Sequence, residues 1–233
     1  MTTFPQVLAR LLAADPGRPL VTFYDDATGE RTELSVATWA TWVAKVSSLL
    51  TDELDVEHGS RLLVDLPAHW LGTVVLGAAW ACGIEVVWDG EADAVVTGPG
   101  TLGRWAPEAG RIPVVATALL PLAGPFADGV PAEVHDLGLE VWSQPDAYVA
   151  YPAPADHDLA VAGTTQAELW AVGSPDRLLS EANPASRAGL PCLTVPLAGG
   201  GSLVLVRNAA PERVGRVAML ERATTAPHPR RPG

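Results

Sequence analysis

Arg61-Leu-Leu-Val-Asp65, Leu66-Pro-Ala-His-Trp70 and Ile84-Glu-Val-Val-Trp88 frame the stretch whose reading decides the fold. Arg61–Asp65 reads as a buried strand, Ala68–Cys82 as a helix and Ile84–Trp88 as the next strand. Pro67 suits a first helical turn, where no backbone N–H is needed. Gly83 stands where a helix end wants a positive φ. Two apolar strands joined by a helix make a parallel, right-handed βαβ unit. Residues 66–84 carry no charge over 19 positions, close to the length of a membrane span. Pro67, His69 and the glycines at 72, 77 and 83 interrupt them, and Asp65 and Glu85 bound them, so a core helix followed by a strand is the better account.

Working outward, Thr3–Ala14 predicts a first helix, stopped by Asp15-Pro16-Gly17. Leu20–Tyr24 and Glu30–Leu34 flank a turn-rich loop and form a hairpin. Ser35 caps a long helix to about Leu54. Its apolar stripe is Val36, Trp39, Val43, Val46, Leu50 and Leu54, which puts Lys45 on the solvated face. Ala92–Thr97 and Ile112–Thr117 are further strands. Between them, Gly98-Pro-Gly100-Thr-Leu-Gly103 matches the dinucleotide fingerprint, but too few residues follow for the helix that motif requires. A glycine-rich turn is the simpler reading.

Residues 120–158 are rich in Pro and Gly, with a helix expected near Asp136–Trp142. Leu159–Ala162 is a strand and Gln166–Val172 a helix. Ser174-Pro175-Asp176 caps another helix to about Ala182. Cys192–Leu197 and Ser202–Arg207 read as strands joined across Gly199–Gly201. Pro211 opens a last helix to about Arg222, and residues 224–233 form a disordered tail. The sum is an α/β protein, its largely parallel sheets flanked by helices. It is a single domain over 1–223, in two packed subdomains dividing near 120–158.

Composition narrows the function classes. A hydrophobic content of 48% with 18% charge describes a globular chain. A net charge of −12 argues against nucleic acid or an anionic membrane as partner. The N-terminus has no basic start before an unbroken apolar run, so no secretory signal is read. Cys82 and Cys192 are isolated and lack metal spacing; nothing supports a disulfide between them, and a reducing, cytoplasmic setting fits better. Lys45 is the single lysine among fourteen arginines, so chemistry needing a second lysine is excluded. The histidines show no metal pairing, and no G-x-S-x-G elbow occurs. His157, between two aspartates, reads as a solvated loop residue. No residue is assigned as catalytic or metal-binding.

Glu33-Leu34-Ser35, Trp42-Val43-Ala44-Lys45, Leu49-Leu50 and above all Leu66-Pro67-Ala68-His69-Trp70 resemble a small family of high-G+C Gram-positive bacteria. That family is remotely similar to the N-terminal part of AMP-binding, adenylate-forming enzymes such as acyl-CoA synthetases. The likeness follows the order of elements and resumes at Leu190-Pro191 and Pro196–Gly200. It implies a truncated version of the enzymes' N-terminal domain. Their phosphate loop should follow Leu159–Ala162, where Gly163, Thr164 and Thr165 match its start while its closing Gly-x-Pro-Lys is absent. Glu168 puts a negative charge where phosphate would arrive, and the sequence stops before the segments carrying the adenine pocket, the acid and the catalytic lysine. His69 and Trp70, just beyond a strand's carboxyl end, join Gly163, Thr164 and Thr165 as candidate ligand contacts.

The resemblance implies a degenerate, acyl-CoA-synthetase-like protein, non-catalytic alone, that binds a small molecule or partners another protein. ATP or AMP is the nucleotide its cleft would take. One alternative is a carboxylate-activating ligase completed by a partner or dimer mate. The other is a protein-interaction module.

Overall fold

The computed structural model describes residues 2–225. In chain order the elements begin with α1 (Phe4–Ala14), β1 (Pro19–Asp25), β2 (Glu30–Ser35) and α2 (Val36–Ser48), which runs on through a π-turn at Leu49–Glu53. Next come β3 (Arg61–Asp65), α3 (Trp70–Cys82), β4 (Glu85–Val87), β5 (Ala94–Thr97), α4 (Leu102–Trp105), β6 (Val114–Ala116), β7 (His135–Asp136) and α5 (Leu137–Glu140). The chain continues with β8 (Leu159–Val161), β9 (Thr164–Thr165), α6 (Gln166–Leu169), β10 (Arg177–Ser180), α7 (Pro191–Gly199), β11 (Ser202–Arg207), α8 (Pro211–Glu221) and β12 (Thr224–Thr225).

Two sheets form, ordered β12-β10-β11-β1-β2 and β7-β6-β5-β3-β4-β8-β9. All neighbours are parallel except β1–β2 and β8–β9, and β3 pairs β4 in the register of the expected βαβ unit. Strand alternation assigns the faces. On β3, Leu62 and Val64 enter the central core while Leu63 faces a second cluster with Leu102 and Trp105. On β11, Leu203 and Leu205 face the central core, and Val204 and Val206 meet Val214 and Val217 of α8. The central core, from Phe4 to Leu205, joins both sheets through α1, α2, α3 and α7. The chain enters the second sheet at Arg61 and returns to the first at Arg177, so residues 120–158 run within the second sheet's part of the fold and contribute β7.

Several local expectations are corrected. Helix α3 starts at Trp70 with His69 as its cap, leaving Pro67 ahead of the first turn. Cys192–Leu197 is helix, not strand. Its residues are buried on nearly every side, so periodicity cannot separate a helix from a strand there. Gly189, Gly199 and Gly201 lie so close to neighbouring backbone that a Cβ on any of them would clash, which lets α7 pass against it. The helix expected to about Ala182 is instead strand β10, inserted between β12 and β11, because tertiary pairing overrides a local capping signal. Helix α6 is only four residues long. Thr224–Thr225 pairs with β10 as β12, and the rest of the expected disordered tail, residues 226–233, lies outside the described residues. No helix among the described residues is long and apolar enough to cross a membrane.

Gly77 sets the spacing of α2 and α3. A Cβ there would stand 2.8 Å from both the Trp39 ring and Val43. Gly83 ends α3 at φ 72°, and a Cβ there would lie 2.5 Å from the His58 ring.

Candidate functional site

The candidate residues fall in two places. His69 and Trp70 lie beyond the carboxyl end of β3, where α3 meets the hairpin of the other sheet. The His69 side chain accepts a hydrogen bond from the Leu71 amide at Nδ1 (3.2 Å) and so caps α3. With Nδ1 as acceptor, the neutral ring carries its proton on Nε2. Nε2 points at Oε2 of Glu30, 3.7 Å away, and has no hydrogen-bond partner. Oε1 of Glu30 accepts from Trp70 Nε1 (3.1 Å) and from the Thr32 hydroxyl (2.8 Å). Burial pushes the Glu30 carboxyl upward, but the contacts from His69, Thr32 and Trp70 outweigh it and hold the group below the ordinary carboxylate range. Phe23 meets the His69 ring edge-on, and Trp42 packs against Trp70 on one side and the exposed Trp142 on the other. His69 and Trp70 are each 1% exposed, so their side chains face the core.

Gly163, Thr164 and Thr165 make the turn from β8 into β9 and the cap of α6. Ala162 (φ 42°) and Gly163 (φ 84°) both take left-handed backbone there, which Gly163 adopts without strain. The Gly163 amide donates to Oε1 of Glu85 at 2.7 Å. The Thr165 amide and hydroxyl both donate to Oε2 of Glu168 (2.9 and 2.8 Å), while the hydroxyl accepts from the Glu168 amide, completing a capping box. These hydrogen bonds hold the Glu168 carboxyl below its ordinary value. No hydrogen bond, ion pair or ring contact among the described residues links this turn to His69 and Trp70.

Other polar groups do work that local patterns did not reveal. Gln166, fully buried, accepts from the Phe4 amide and Trp170 Nε1 (both 3.0 Å) and donates to the Trp80 carbonyl (3.1 Å), fastening α1 and α6 to α3. Lys45 is not solvated. Its ammonium donates to the Gln144 carbonyl (2.6 Å) and pairs with Asp146 (2.8 Å). Nothing in a helical wheel marks a partner that sits a hundred residues away. Glu30 carried a faint signal, because it shares a strand face with buried Leu34. His157 is exposed, as a loop residue should be. Glycines 98 to 103 lead only into the four-residue α4. Among the described residues, no three His, Cys, Asp or Glu side chains converge on a metal position. Cys82 and Cys192 are free and buried, and burial pushes their thiols up to about 11 and about 12.

No family model matches the chain. Its fold matches an acyl-CoA synthetase from Brucella canis with a TM-score of 0.74 at 18% identity, over 94% of this chain and 46% of that one. It also matches a benzoate CoA ligase from Burkholderia xenovorans with a TM-score of 0.70 at 19% identity, over 95% and 48%. The chain thus spans about half the length of these enzymes and has the fold of their N-terminal part. Over its whole length it is similar to a TIGR03089 family protein from Mycobacterium tuberculosis, 35% identical across 94% of this chain and 95% of that protein. With the fold, the order of elements and this full-length similarity in agreement, the chain belongs to the TIGR03089 family.

Proposed function

We propose that this chain is a pseudoenzyme, a cytoplasmic, non-catalytic binding protein built on the acyl-CoA-synthetase scaffold. The observation that carries this reading is the state of the Gly163 turn. In adenylation, negative charge on the phosphates must be met by preorganised donors, and losing one such donor costs about 2.7–4 kcal/mol of barrier. Here the Gly163 amide and the Thr165 amide and hydroxyl are already bound to Glu85 and Glu168. A phosphate arriving at Gly163, Thr164 and Thr165 would have to displace two carboxylates and meet their charge. The single lysine is engaged with Gln144 and Asp146 instead. Two free, buried thiols suit a reducing compartment.

Thermal unfolding with ATP, AMP, CoA and acyl-CoAs, run beside a pyrophosphate-release assay with mixed carboxylates, tests the reading. The expected result is no pyrophosphate and no stabilisation by nucleotide. The E85Q/E168Q double variant, which removes the charge while keeping the shape, should gain a nucleotide-dependent shift. Steady pyrophosphate release by the wild-type chain would overturn the proposal.

A further inference from the structure

Helix α8 turns Val214 and Val217 to the core beneath it, and its opposite face is open to solvent. On that open face Glu212, Gly215, Met219 and Arg222 recur at intervals of three, four and three, a straight seam along the helix and its cap. Nothing inside the chain calls for Gly215. It sits in the helix interior, where glycine is destabilising, and a Cβ there would meet nothing within 4 Å. What a glycine on an outer face does permit is the close approach of another backbone. One turn further on, Met219 is 73% exposed, with Leu220 beside it 71% exposed. The seam therefore carries a large apolar knob next to an empty hole.

The charges on the helix say what would cover this face. Arg213 turns inward to Asp26 and the Tyr24 ring, and Glu221 to Tyr24, Arg31 and Arg177. Glu212 and Arg222, at opposite ends of the seam, make no side-chain hydrogen bond or ion pair among the described residues. The seam is thus acidic at its start, apolar in the middle and basic at its end, so its own reverse is its complement. Net charge agrees. Two copies at −12 repel each other, but Pro211–Arg222 carries three arginines against two glutamates and escapes that repulsion.

We propose that α8 pairs antiparallel with α8 of a second copy of this chain, about a two-fold axis level with Val217. Such an axis sets Met219 of each copy over Gly215 of the other, and Glu212 against Arg222 at both ends. A parallel pair would instead set Glu212 beside Glu212 and Met219 beside Met219. The helix has eleven residues, about three turns, so the contact is smaller than a standard interface and the dimer is weak and concentration-dependent. This goes beyond the reading of the Gly163 turn and uses none of its residues.

The test is sedimentation equilibrium of the full chain between about 5 and about 500 μM, the span in which a weak interface associates. The wild type should pass from monomer to dimer across it. Gly215→Phe, which has open room in the monomer, should fold and stay monomeric because its ring occupies the seat of Met219. Glu212→Arg and Arg222→Glu should each be monomeric alone, since like charges then meet at both ends. An equimolar mixture of those two variants should dimerise again, since every end then pairs opposite charges. Circular dichroism checks that each variant folds, and the mixing experiment decides the matter even if Gly215→Phe does not. A wild type monomeric throughout would overturn the proposal and leave the face to another protein. A dimer undiminished in folded Gly215→Phe, or a mixture no more associated than its components, would overturn it too. Pyrophosphate release by the wild type would remove only the reading of the turn.

Discussion

The junction at Glu30, His69 and Trp70 and the turn at Gly163–Thr165 both follow the carboxyl ends of parallel strands, yet they treat their polar groups in opposite ways. At the junction, a carboxylate and an imidazole are sealed between two sheets: Glu30 Oε1 accepts two hydrogen bonds and His69 Nδ1 one, while His69 Nε2 and Glu30 Oε2 face each other at 3.7 Å. At the turn, the donors sit near solvent and are held by the protein's own carboxylates. A strand end therefore offers a place for chemistry without dictating it. Burial seals the polar groups of one such place into a clasp between the sheets, and at the other the donors are taken up by Glu85 and Glu168.

The clasp should break hardest. His69→Ala removes the cap of α3 and leaves the Glu30 carboxylate facing a void, so equilibrium urea unfolding should show a loss of about 3 kcal/mol. A loss below about 1 kcal/mol would mean that the junction is not structural. Gly77→Ala should follow at about 2 kcal/mol, since its methyl must push Trp39 and Val43 on α2 away from α3.

Acid should act through the same junction. The Glu30 carboxyl titrates below its ordinary range in the fold, so the folded state favours its ionised form. That contribution is complete above the unfolded-chain value and is lost as pH falls through the lower folded value. Stability measured from neutral pH downward should therefore decline, and Glu30→Gln should flatten the decline. An unchanged slope in that variant would shift the acid response to other carboxylates, such as Glu221, which two arginines and Tyr24 also hold low.

The remaining effects are small. With thiols raised to about 11 and about 12 by burial, Cys82 and Cys192 should ignore a disulfide reagent at pH 8 until the chain is unfolded. Glu85→Gln with Glu168→Gln should lower the urea midpoint only slightly, because glutamine keeps the acceptors and the capping box while losing the ionised Glu168 that the fold favours. A clear drop would show that the turn, like the junction, is needed for folding.

The course of the chain through α1, the hairpin, α2 and the β3–α3–β4 unit was legible because each signal there is local. Ser35 caps α2, Gly83 ends α3, and alternation or helical spacing marks each buried face. Legibility failed at β10 and α7. Leu178 and Leu179 become a strand only because β11 and β12 lie on either side, and a stretch buried all round, such as Cys192–Leu197, has no periodic face to read. The site divided in the same way. Composition and the Gly163-Thr164-Thr165 match located the turn, but that the Gly163 amide is bound by Glu85, 78 residues away, appears only in three dimensions.

The sequence by itself determined the α/β class, the core helix α3 and the shortage of positive charge, since propensity, patterning and charge count are properties of neighbours along the chain. Only the tertiary structure decided that His69 is a buried cap, that Lys45 is bound to Gln144 and Asp146, and that Glu85 and Glu168 take up donors of the Gly163 turn. Each of those depends on which distant group arrives within hydrogen-bond distance, and no local pattern encodes that.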